Sequence, residues 1–168
     1  MENSRISIPT AFTSFCANET IALGERLAVL LERGSVVALR GPLGAGKTCL
    51  AKGIARGLGI TEEVTSPTYT IVSEYGGGFA GTESQGGSVP VYHIDAYRLG
   101  GNDDFSAIGG EELVFGDGIS IIEWGERIPY FISAEALRVD IEIRGDNERH
   151  ISIYRAEDPI SALNKEEK

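Results

Sequence analysis

The sequence predicts an α/β domain of three layers, in which helices flank a central sheet of parallel and antiparallel strands and a hairpin closes the chain. In the first part, apolar runs that suit buried strands alternate with stretches whose apolar residues recur at helical spacing. In the last part, apolar and polar residues alternate with the period of a half-buried strand on both sides of a turn. Strand–helix units followed by meandering strands are typical of a mixed sheet.

The first elements are a weak strand, a helix and a strand–helix pair. The strand candidate is the short apolar segment 6–8. Asn18 is the predicted N-cap of the first helix, and Gly34 is its predicted end. The run 35–39 suits a buried strand, and a helix follows it after a glycine-rich loop and stops at Gly59. The apolar residues at helical spacing in that helix are Leu50, Ile54 and Leu58.

The remaining elements are strands interrupted by one acidic, helical region. Strands are predicted at 71–75, 89–95, 119–123, 137–143 and 149–154. Short helices are predicted at 103–108 and 111–115, and turn residues at 145–147 make the last two strands a hairpin. The glycine-rich stretch 76–88 is interpreted as a mobile hairpin connection without chemistry.

Length and composition predict one globular domain in the cytoplasm. The 168 residues are 42% hydrophobic and 24% charged, which is ordinary for such a domain. We place the domain at 1–157 and a polar, frayed tail at 158–168. No apolar stretch approaches the ~20 residues that cross a bilayer, so no membrane contact is expected. The N-terminus lacks a basic region followed by an apolar core, which argues against a secretory signal.

The charge balance argues against unaided binding of nucleic acid. Lys and Arg total 15 against 25 acidic residues, which gives a net charge of −10, and they form no cluster. Proteins that grip nucleic acid by themselves usually carry basic patches that neutralise phosphates. A protein partner remains compatible with this surface.

The segment that says most about function is the glycine-rich loop, which reads Gly41-Pro42-Leu43-Gly44-Ala45-Gly46-Lys47-Thr48. It matches the phosphate-binding pattern G-x-x-x-x-G-K-[ST]. Glycines let backbone N–H groups curl around an anion. The lysine then supplies a mobile charge for the phosphates, and the threonine a hydroxyl for Mg²⁺. Between a predicted strand and a predicted helix, this loop indicates a P-loop NTPase-like fold.

Two acidic residues at strand ends would complete a hydrolytic site. Asp95 closes the strand 89–95, and Glu123 closes the strand 119–123. Ligands of α/β sheets collect at the carboxyl ends of strands. Either carboxylate could hold Mg²⁺ while the other orients or deprotonates the attacking water. The residues alone leave that division of roles open.

Other polar and aromatic residues near these motifs carry weaker signals. The segment Ser66-Pro67-Thr68-Tyr69-Thr70 places hydroxyls on a proline-bent loop, which is either a sensor of the γ-phosphate or an ordinary turn. His93 and His150 have no metal-ligand spacing and are interpreted as structural. Trp124 either packs under the nucleotide or fills the core.

Taken in order, these motifs resemble those of the TsaE family, small bacterial P-loop ATPases of the tRNA threonylcarbamoyladenosine (t6A) pathway. The matching blocks are the phosphate loop, Ser-Pro-Thr-Tyr-Thr at 66–70, Tyr-His-Ile-Asp-Ala-Tyr-Arg-Leu at 92–99 and Ile-Glu-Trp at 122–124. The resemblance extends from about residue 18 to residue 149. It implies a mixed sheet with antiparallel members.

The resemblance implies ATP and Mg²⁺ as cofactors and gives the candidate residues their roles. Thr48 and Glu123 would hold Mg²⁺. The candidate catalytic residues are Asp95, Lys47 and Thr68. Those expected at the nucleotide are Gly41, Gly44, Ala45, Gly46, Lys47, Thr48, Cys49, Ser66 and Arg149. The chain departs from the family pattern in its long 76–88 connection and in Cys49, where a second threonine is common.

The resemblance further implies protein partners of the TsaB–TsaD type, which transfer a threonylcarbamoyl group to an adenosine of certain tRNAs. The tRNA would meet this chain only through that complex, in keeping with the acidic charge. The expected function is Mg²⁺-dependent ATP binding and slow, partner-stimulated hydrolysis. The alternatives are a P-loop kinase of a small metabolite, although no Arg-rich lid segment is seen, and a nucleotide-sensing scaffold without turnover.

Overall fold

The computed structural model describes residues 10–78 and 88–156 and is built around one seven-stranded mixed sheet. Its strands are β1 (Ala11–Ser14), β2 (Val36–Arg40), β3 (Val72–Gly77), β4 (Val89–Asp95), β5 (Ile119–Glu123), β6 (Leu137–Ile143) and β7 (Arg149–Tyr154). Their order across the sheet is β1-β7-β6-β2-β5-β4-β3. Strands β6, β2, β5 and β4 run parallel. Strand β7 pairs antiparallel with β6, the edge strand β1 pairs antiparallel with β7, and the other edge strand, β3, pairs antiparallel with β4. The predicted mixed sheet with a C-terminal hairpin is confirmed.

Helices cover both faces of this sheet, so that the domain has the three predicted layers. The helices of the described part are α1 (Ala17–Ala28), α2 (Lys47–Gly57), α3 (Asn102–Ala107) and α4 (Gly110–Phe115). Helices α1 and α2 share one apolar core with one face of the sheet. Helices α3 and α4 and the 3₁₀ turns Gly125–Arg127 and Pro129–Phe131 lie over a second core on the other face. No helix in the described ranges is long and apolar enough to cross a membrane.

The central strands read as continuous apolar runs because both of their faces are buried. All five residues of β5 are buried. Ile121 belongs to the core under α1 and α2, and its neighbour Ile122 belongs to the core on the opposite face. This is the arrangement expected for parallel strands that are covered on both sides. It places the carboxyl ends of β2, β5 and β4 side by side.

The glycine at position 53 lets α1 and α2 pack closely. A Cβ atom on Gly53 would collide with the carbonyl oxygen of Ile21 and would lie 2.9 Å from the Cα atom of Gly24. Only a residue without a side chain fits between two helix backbones at this separation. The contact seats α2, and therefore the loop that precedes it, firmly against α1.

The structure corrects the predicted limits of the first helix. Its N-cap is Cys16 rather than Asn18, and the helix ends at Ala28 rather than at Gly34. The backbone N–H of Phe15 donates to the carboxylate of Glu19 at 2.7 Å. The Glu19 side chain thus reaches back from the first turn to the residue before the N-cap, and this contact stabilises a start earlier than the Asn signal indicates.

The strands at the two edges of the sheet also differ from what the sequence predicts. Strand β3 covers 72–77 rather than 71–75, because its last residues pair with the start of β4. Strand β1, at 11–14, was not predicted. The predicted strand 6–8, residues 79–87 of the glycine-rich connection and the predicted tail 158–168 lie outside the described residues.

Candidate functional site

The phosphate loop leaves the sheet at the end of β2 and leads directly into α2. Gly41 has a φ of 151°, and a Cβ atom there would lie 2.5 Å from the carbonyl oxygen of Ile141 on β6. A side chain at this position would block the turn of the loop away from the sheet. Helix α2 begins at Lys47, and the first N–H groups of a helix have no carbonyl partners within it. Those N–H groups are the ones that bind anions at helix starts.

The side chain of Lys47 is folded over its own loop. Its Nζ donates to the carbonyl oxygens of Gly41 at 2.6 Å and of Pro42 at 2.9 Å. The same Nζ lies 3.9 Å from the centre of the Trp124 ring, at the distance of a cation–π contact. Trp124 reaches this place from a backbone with a φ of 60°, which is unusual for a large side chain.

Burial and nearby carboxylates act in opposite directions on Lys47. The residue is 4% exposed. Burial lowers the pKa of Lys47, because it removes water from the charged form. Three negative charges raise that pKa again, those of Glu123, Glu126 and Asp95. The amine is therefore removed from water and lies in the field of three acidic side chains.

Thr48 and Glu123 form the link between the phosphate loop and the central strands. The hydroxyl of Thr48 donates to Oε1 of Glu123 at 2.9 Å and to Oε2 at 3.1 Å. Glu123 is 3% exposed and ends β5, next to β2 in the sheet. Its Oε1 also lies 2.8 Å from Nε2 of His93. Buried carboxylates are stabilised by such partners, and this one has two.

Asp95 anchors the 66–70 segment to the end of β4. Its Oδ2 accepts hydrogen bonds from the hydroxyls of Ser66 at 3.2 Å and Thr68 at 3.0 Å. Its Oδ1 accepts the backbone N–H of Tyr97 at 2.9 Å. Asp95 and Glu123 are partners in the β4–β5 register, which brings the two acids to the same edge.

A strained residue follows the hydroxyl-bearing loop. Ile71 has a φ of 67°, in a region that β-branched residues rarely adopt. Its N–H donates to the carbonyl of Pro67 at 2.6 Å, and its carbonyl accepts the N–H of Asp95 at 2.8 Å. The loop 66–70 is therefore held both by the side chain of Asp95 and by the backbone beside it.

Arg149 joins the phosphate loop to the last hairpin. Its Nε donates to the carbonyl of Ala45 at 3.2 Å and its Nη2 to the carbonyl of Gly44 at 3.3 Å. Its Nη1 donates to three carbonyls of the β6–β7 turn, those of Gly145, Asp146 and Glu148. Arg149 was expected at the nucleotide, and the structure places its guanidinium on the carbonyls of the loop itself.

The structure brings most of the predicted site residues together at the carboxyl ends of β2, β5 and β4. They are Gly41, Gly44, Ala45, Gly46, Lys47, Thr48, Ser66, Thr68, Asp95 and Glu123. Cys49 follows Thr48 in the first turn of α2 as a partly buried free thiol. His150 lies on β7, which pairs with the edge strand β1.

Two residues of this neighbourhood were not assigned to it from the sequence. His93 was interpreted as structural, and Trp124 was left undecided. His93 precedes Asp95 by two positions on one strand, so both side chains project from the same face. That spacing is the signal that could have placed His93 near Glu123. No comparable pattern marks Trp124, apart from its position directly after Glu123.

The donor atoms at this edge suit Mg²⁺. A hydroxyl and a carboxylate are oxygen ligands of the kind that this ion prefers, and Mg²⁺ usually combines one or two protein ligands with phosphates and water. In the described residues, no group of three or more His, Cys, Asp and Glu side chains could hold a metal ion by itself. Thr48 and Glu123 would therefore hold the ion together with a bound phosphate.

The mixed sheet, the loop between β2 and α2 and the strand-end acids define a P-loop NTPase-like protein. The family model described as "Threonylcarbamoyl adenosine biosynthesis protein TsaE" matches residues 16–152. The chain belongs to the TsaE family.

Individual relatives agree with this assignment. The tRNA threonylcarbamoyladenosine biosynthesis protein TsaE of Treponema pallidum (strain Nichols) is 42% identical over 137 residues, which cover 82% of this chain and 94% of the relative. The protein of the same name from Bacillus subtilis (strain 168) is 40% identical over 134 residues, 80% of this chain and 78% of the relative. The crystal structure of Bacillus subtilis YdiB superposes with a TM-score of 0.67 at 33% identity, covering 93% and 91% of the two chains. The resemblance found in the sequence is confirmed.

Proposed function

We propose that this chain binds ATP together with Mg²⁺, hydrolyses it slowly in the cytoplasm and so supports a complex of the TsaB–TsaD type in forming t6A on tRNA. The observation that carries the proposal is the hydrogen bond from Thr48 to both oxygens of Glu123. It sets a hydroxyl and a carboxylate side by side at the start of α2, as a Mg²⁺ ion beside bound phosphates requires.

Lys47 is the residue that we expect to respond first to a bound phosphate. Its amine is desolvated, and its hydrogen bonds run to neutral carbonyls, those of Gly41 and Pro42. A phosphate oxygen is a stronger partner for an ammonium group than a carbonyl is, since both partners are charged. Replacing the carbonyl partners of Nζ by phosphate oxygens would favour binding of the triphosphate. It would also draw Nζ away from the ring of Trp124.

Asp95 is the residue that we expect to act on the attacking water. It is buried at the end of β4 beside Glu123, within reach of the loop that carries Ser66 and Thr68. A carboxylate here can orient the water or accept its proton, and a bound Mg²⁺ ion supplies neutralisation of phosphate charge. Thr68 donates to the carboxylate of Asp95. Movement of the loop 66–70 would therefore change with the nucleotide that is bound beside Asp95.

The surface around the site supports contact with another protein. Leu43, on the phosphate loop, is 78% exposed, and Tyr69, on the hydroxyl-bearing loop, is 85% exposed. Exposed apolar side chains beside a functional site are common in surfaces that bind proteins. With a net charge of −10, the chain is suited to a protein partner that itself holds the tRNA.

The direct test is release of phosphate from ATP by the purified chain. We expect slow release with Mg²⁺, none with a chelator, and faster release when TsaB- and TsaD-type proteins are added. Consumption of ATP only after addition of a small hydroxyl compound would instead identify a kinase. Tight ATP binding without release in a single turnover, even with the partners, would identify a scaffold.

A second experiment tests the link to the partners. The immobilised chain is incubated with TsaB- and TsaD-type proteins in the presence and absence of ATP, and t6A formation on tRNA is assayed in parallel. We expect nucleotide-dependent capture, since a switch needs different affinities in its two states. Capture that is equally tight with and without nucleotide would contradict the switching mechanism.

A further inference from the structure

Within residues 10–78 and 88–156, His93 makes one polar side-chain contact, and that contact is to Glu123. The side chain of His93 is 1% exposed, and its Nε2 lies 2.8 Å from Oε1 of Glu123, which is 4% exposed. Strand β4 is hydrogen-bonded to β5, and His93 pairs there with Ile121, two residues before Glu123. The pairing of β4 with β5 therefore brings the two side chains together, and both of them are buried from water.

The chemistry of the two groups determines the direction of this hydrogen bond. Both oxygens of Glu123 accept the hydroxyl of Thr48, so the carboxylate acts as an acceptor and Nε2 of His93 is the donor. Nδ1 of His93 is buried and has no hydrogen-bond partner in the described part of the chain. Nothing in that part of the chain competes with Glu123 for the imidazole. The imidazole of His93 therefore forms its hydrogen bond with the carboxylate of Glu123.

The contact from His93 distinguishes the two oxygens of Glu123. Thr48 donates to Oε1 and Oε2 at nearly equal distances and cannot select between them. Its hydroxyl is also the group expected to face Mg²⁺. His93 contacts Oε1 alone, so it is the partner that fixes the rotation of the carboxylate and leaves Oε2 as the less engaged oxygen.

We propose that His93 is a positioning residue, whose Nε2–H holds the Glu123 carboxylate in the orientation that binds Mg²⁺ with Thr48. This inference rests on the proposed role of Thr48 and Glu123 as magnesium ligands. Hydrogen-bond partners of metal-ligating side chains set ligand orientation, and their loss typically weakens metal affinity by about 10- to 100-fold. His93 would act on the ion only through Glu123.

The test measures ATP affinity as a function of Mg²⁺ concentration for three variants. We expect His93→Leu to weaken the apparent affinity for Mg²⁺ by about tenfold or more, while ATP affinity measured in a chelator changes little. Gln carries an amide N–H at about the reach of Nε2, so His93→Gln should recover most of the loss. His150→Gln, at the other histidine of the chain, should behave like the parent.

A second measurement needs no substitution at His93. Nitrogen-15 NMR of the parent chain without metal should show the Nε2–H tautomer for His93. With two histidines in the chain, His150→Gln assigns the signals. The Nδ1–H tautomer at His93 would overturn the inference.

The outcomes separate this inference from the proposed function. One outcome is that ATP affinity depends on Mg²⁺ to the same extent in the parent and in His93→Leu. In that case the positioning role of His93 is wrong, and the magnesium site stands. If ATP affinity in the parent does not depend on Mg²⁺, the proposed function fails and the role of His93 fails with it. Weakened Mg²⁺ dependence in His93→Leu together with recovery in His93→Gln supports the proposal.

Discussion

The hydroxyl of Thr48 donates to both carboxylate oxygens of Glu123, at 2.9 and 3.1 Å, although 75 positions separate the two residues in the chain. Parallel pairing of β2 with β5 brings them together, because Glu123 is registered with Leu39 just before the phosphate loop begins. The strand order of the sheet therefore places the carboxylate of Glu123 beside the start of α2. This relationship underlies the proposed magnesium site and the first prediction.

Glu123→Gln should remove most of the effect of Mg²⁺ on ATP affinity. The substitution keeps the shape of the side chain and its contact with Thr48 but removes the negative charge that a hard cation requires. We expect apparent Mg²⁺ affinity to fall by at least about tenfold, measured by calorimetric titration of ATP with and without the ion. Thr48→Ser, which keeps the hydroxyl, is the matched control. An unchanged Mg²⁺ dependence in Glu123→Gln would exclude Glu123 as a ligand.

Binding of ATP should change the fluorescence of Trp124. It is the one tryptophan of the chain, and the ammonium of Lys47 lies 3.9 Å from its ring centre. If phosphates draw Nζ away from the ring, the emission of the indole changes. Lys47→Met should show neither the change nor measurable binding. A fluorescence response to ATP that persists in Lys47→Met would contradict this account.

Arg149→Lys should weaken ATP binding by loosening the phosphate loop. A lysine cannot reproduce the planar fork that donates to the carbonyls of Gly44, Ala45 and the β6–β7 turn. We expect faster hydrogen exchange of the loop amides in the nucleotide-free variant, together with a several-fold loss of affinity. A loss of affinity with unchanged exchange would instead favour direct contact of Arg149 with the nucleotide, as the family resemblance implies.

Tyr154→Phe should lower the free energy of unfolding below about pH 10, and this loss should become progressively smaller above that pH. Burial, followed by the charge of Asp140, raises the pKa of Tyr154, whose hydroxyl donates to that carboxylate at 3.0 Å. A raised folded-state pKa means that the stabilisation is complete below the unfolded pKa of about 10 and is lost as the pH rises through the folded value.

Urea unfolding of parent and Tyr154→Phe between pH 8 and 11 measures this difference. We expect the parent to be more stable by about 1 kcal/mol at the lower pH, as for a typical hydrogen bond, and the gap to close toward the upper pH. A gap that stays constant across the range would show that the hydroxyl of Tyr154 does not titrate in this way.

The sequence predicts the parallel centre of the fold better than its edges. Strand β5 is a buried apolar run with an acid at its end, and both features are local. Strand β1 has four residues, and among the described strands it pairs only with β7, which lies more than 130 positions further along the chain. Its existence depends on tertiary pairing, so no local pattern indicates it.

The same division applies to the site. Asp95 and Glu123 could be predicted because each terminates an apolar strand, and the phosphate loop because its pattern is contiguous. The contact of His93 with Glu123 depends on β4 and β5 being neighbours, and that of Arg149 with Ala45 on the hairpin folding back over the loop. Strand order and hairpin position are properties of the whole fold, which spacing along the chain does not specify.

We propose that this edge of the sheet hydrolyses ATP and that Asp95 acts on the attacking water. The decisive measurement is phosphate release in a single turnover, with enzyme in excess over ATP and Mg²⁺ present, for the parent and Asp95→Asn. We predict that Asp95→Asn binds ATP with Mg²⁺ about as tightly as the parent but releases phosphate about a hundredfold more slowly or worse. Release at the parental rate from Asp95→Asn would contradict a catalytic role for Asp95.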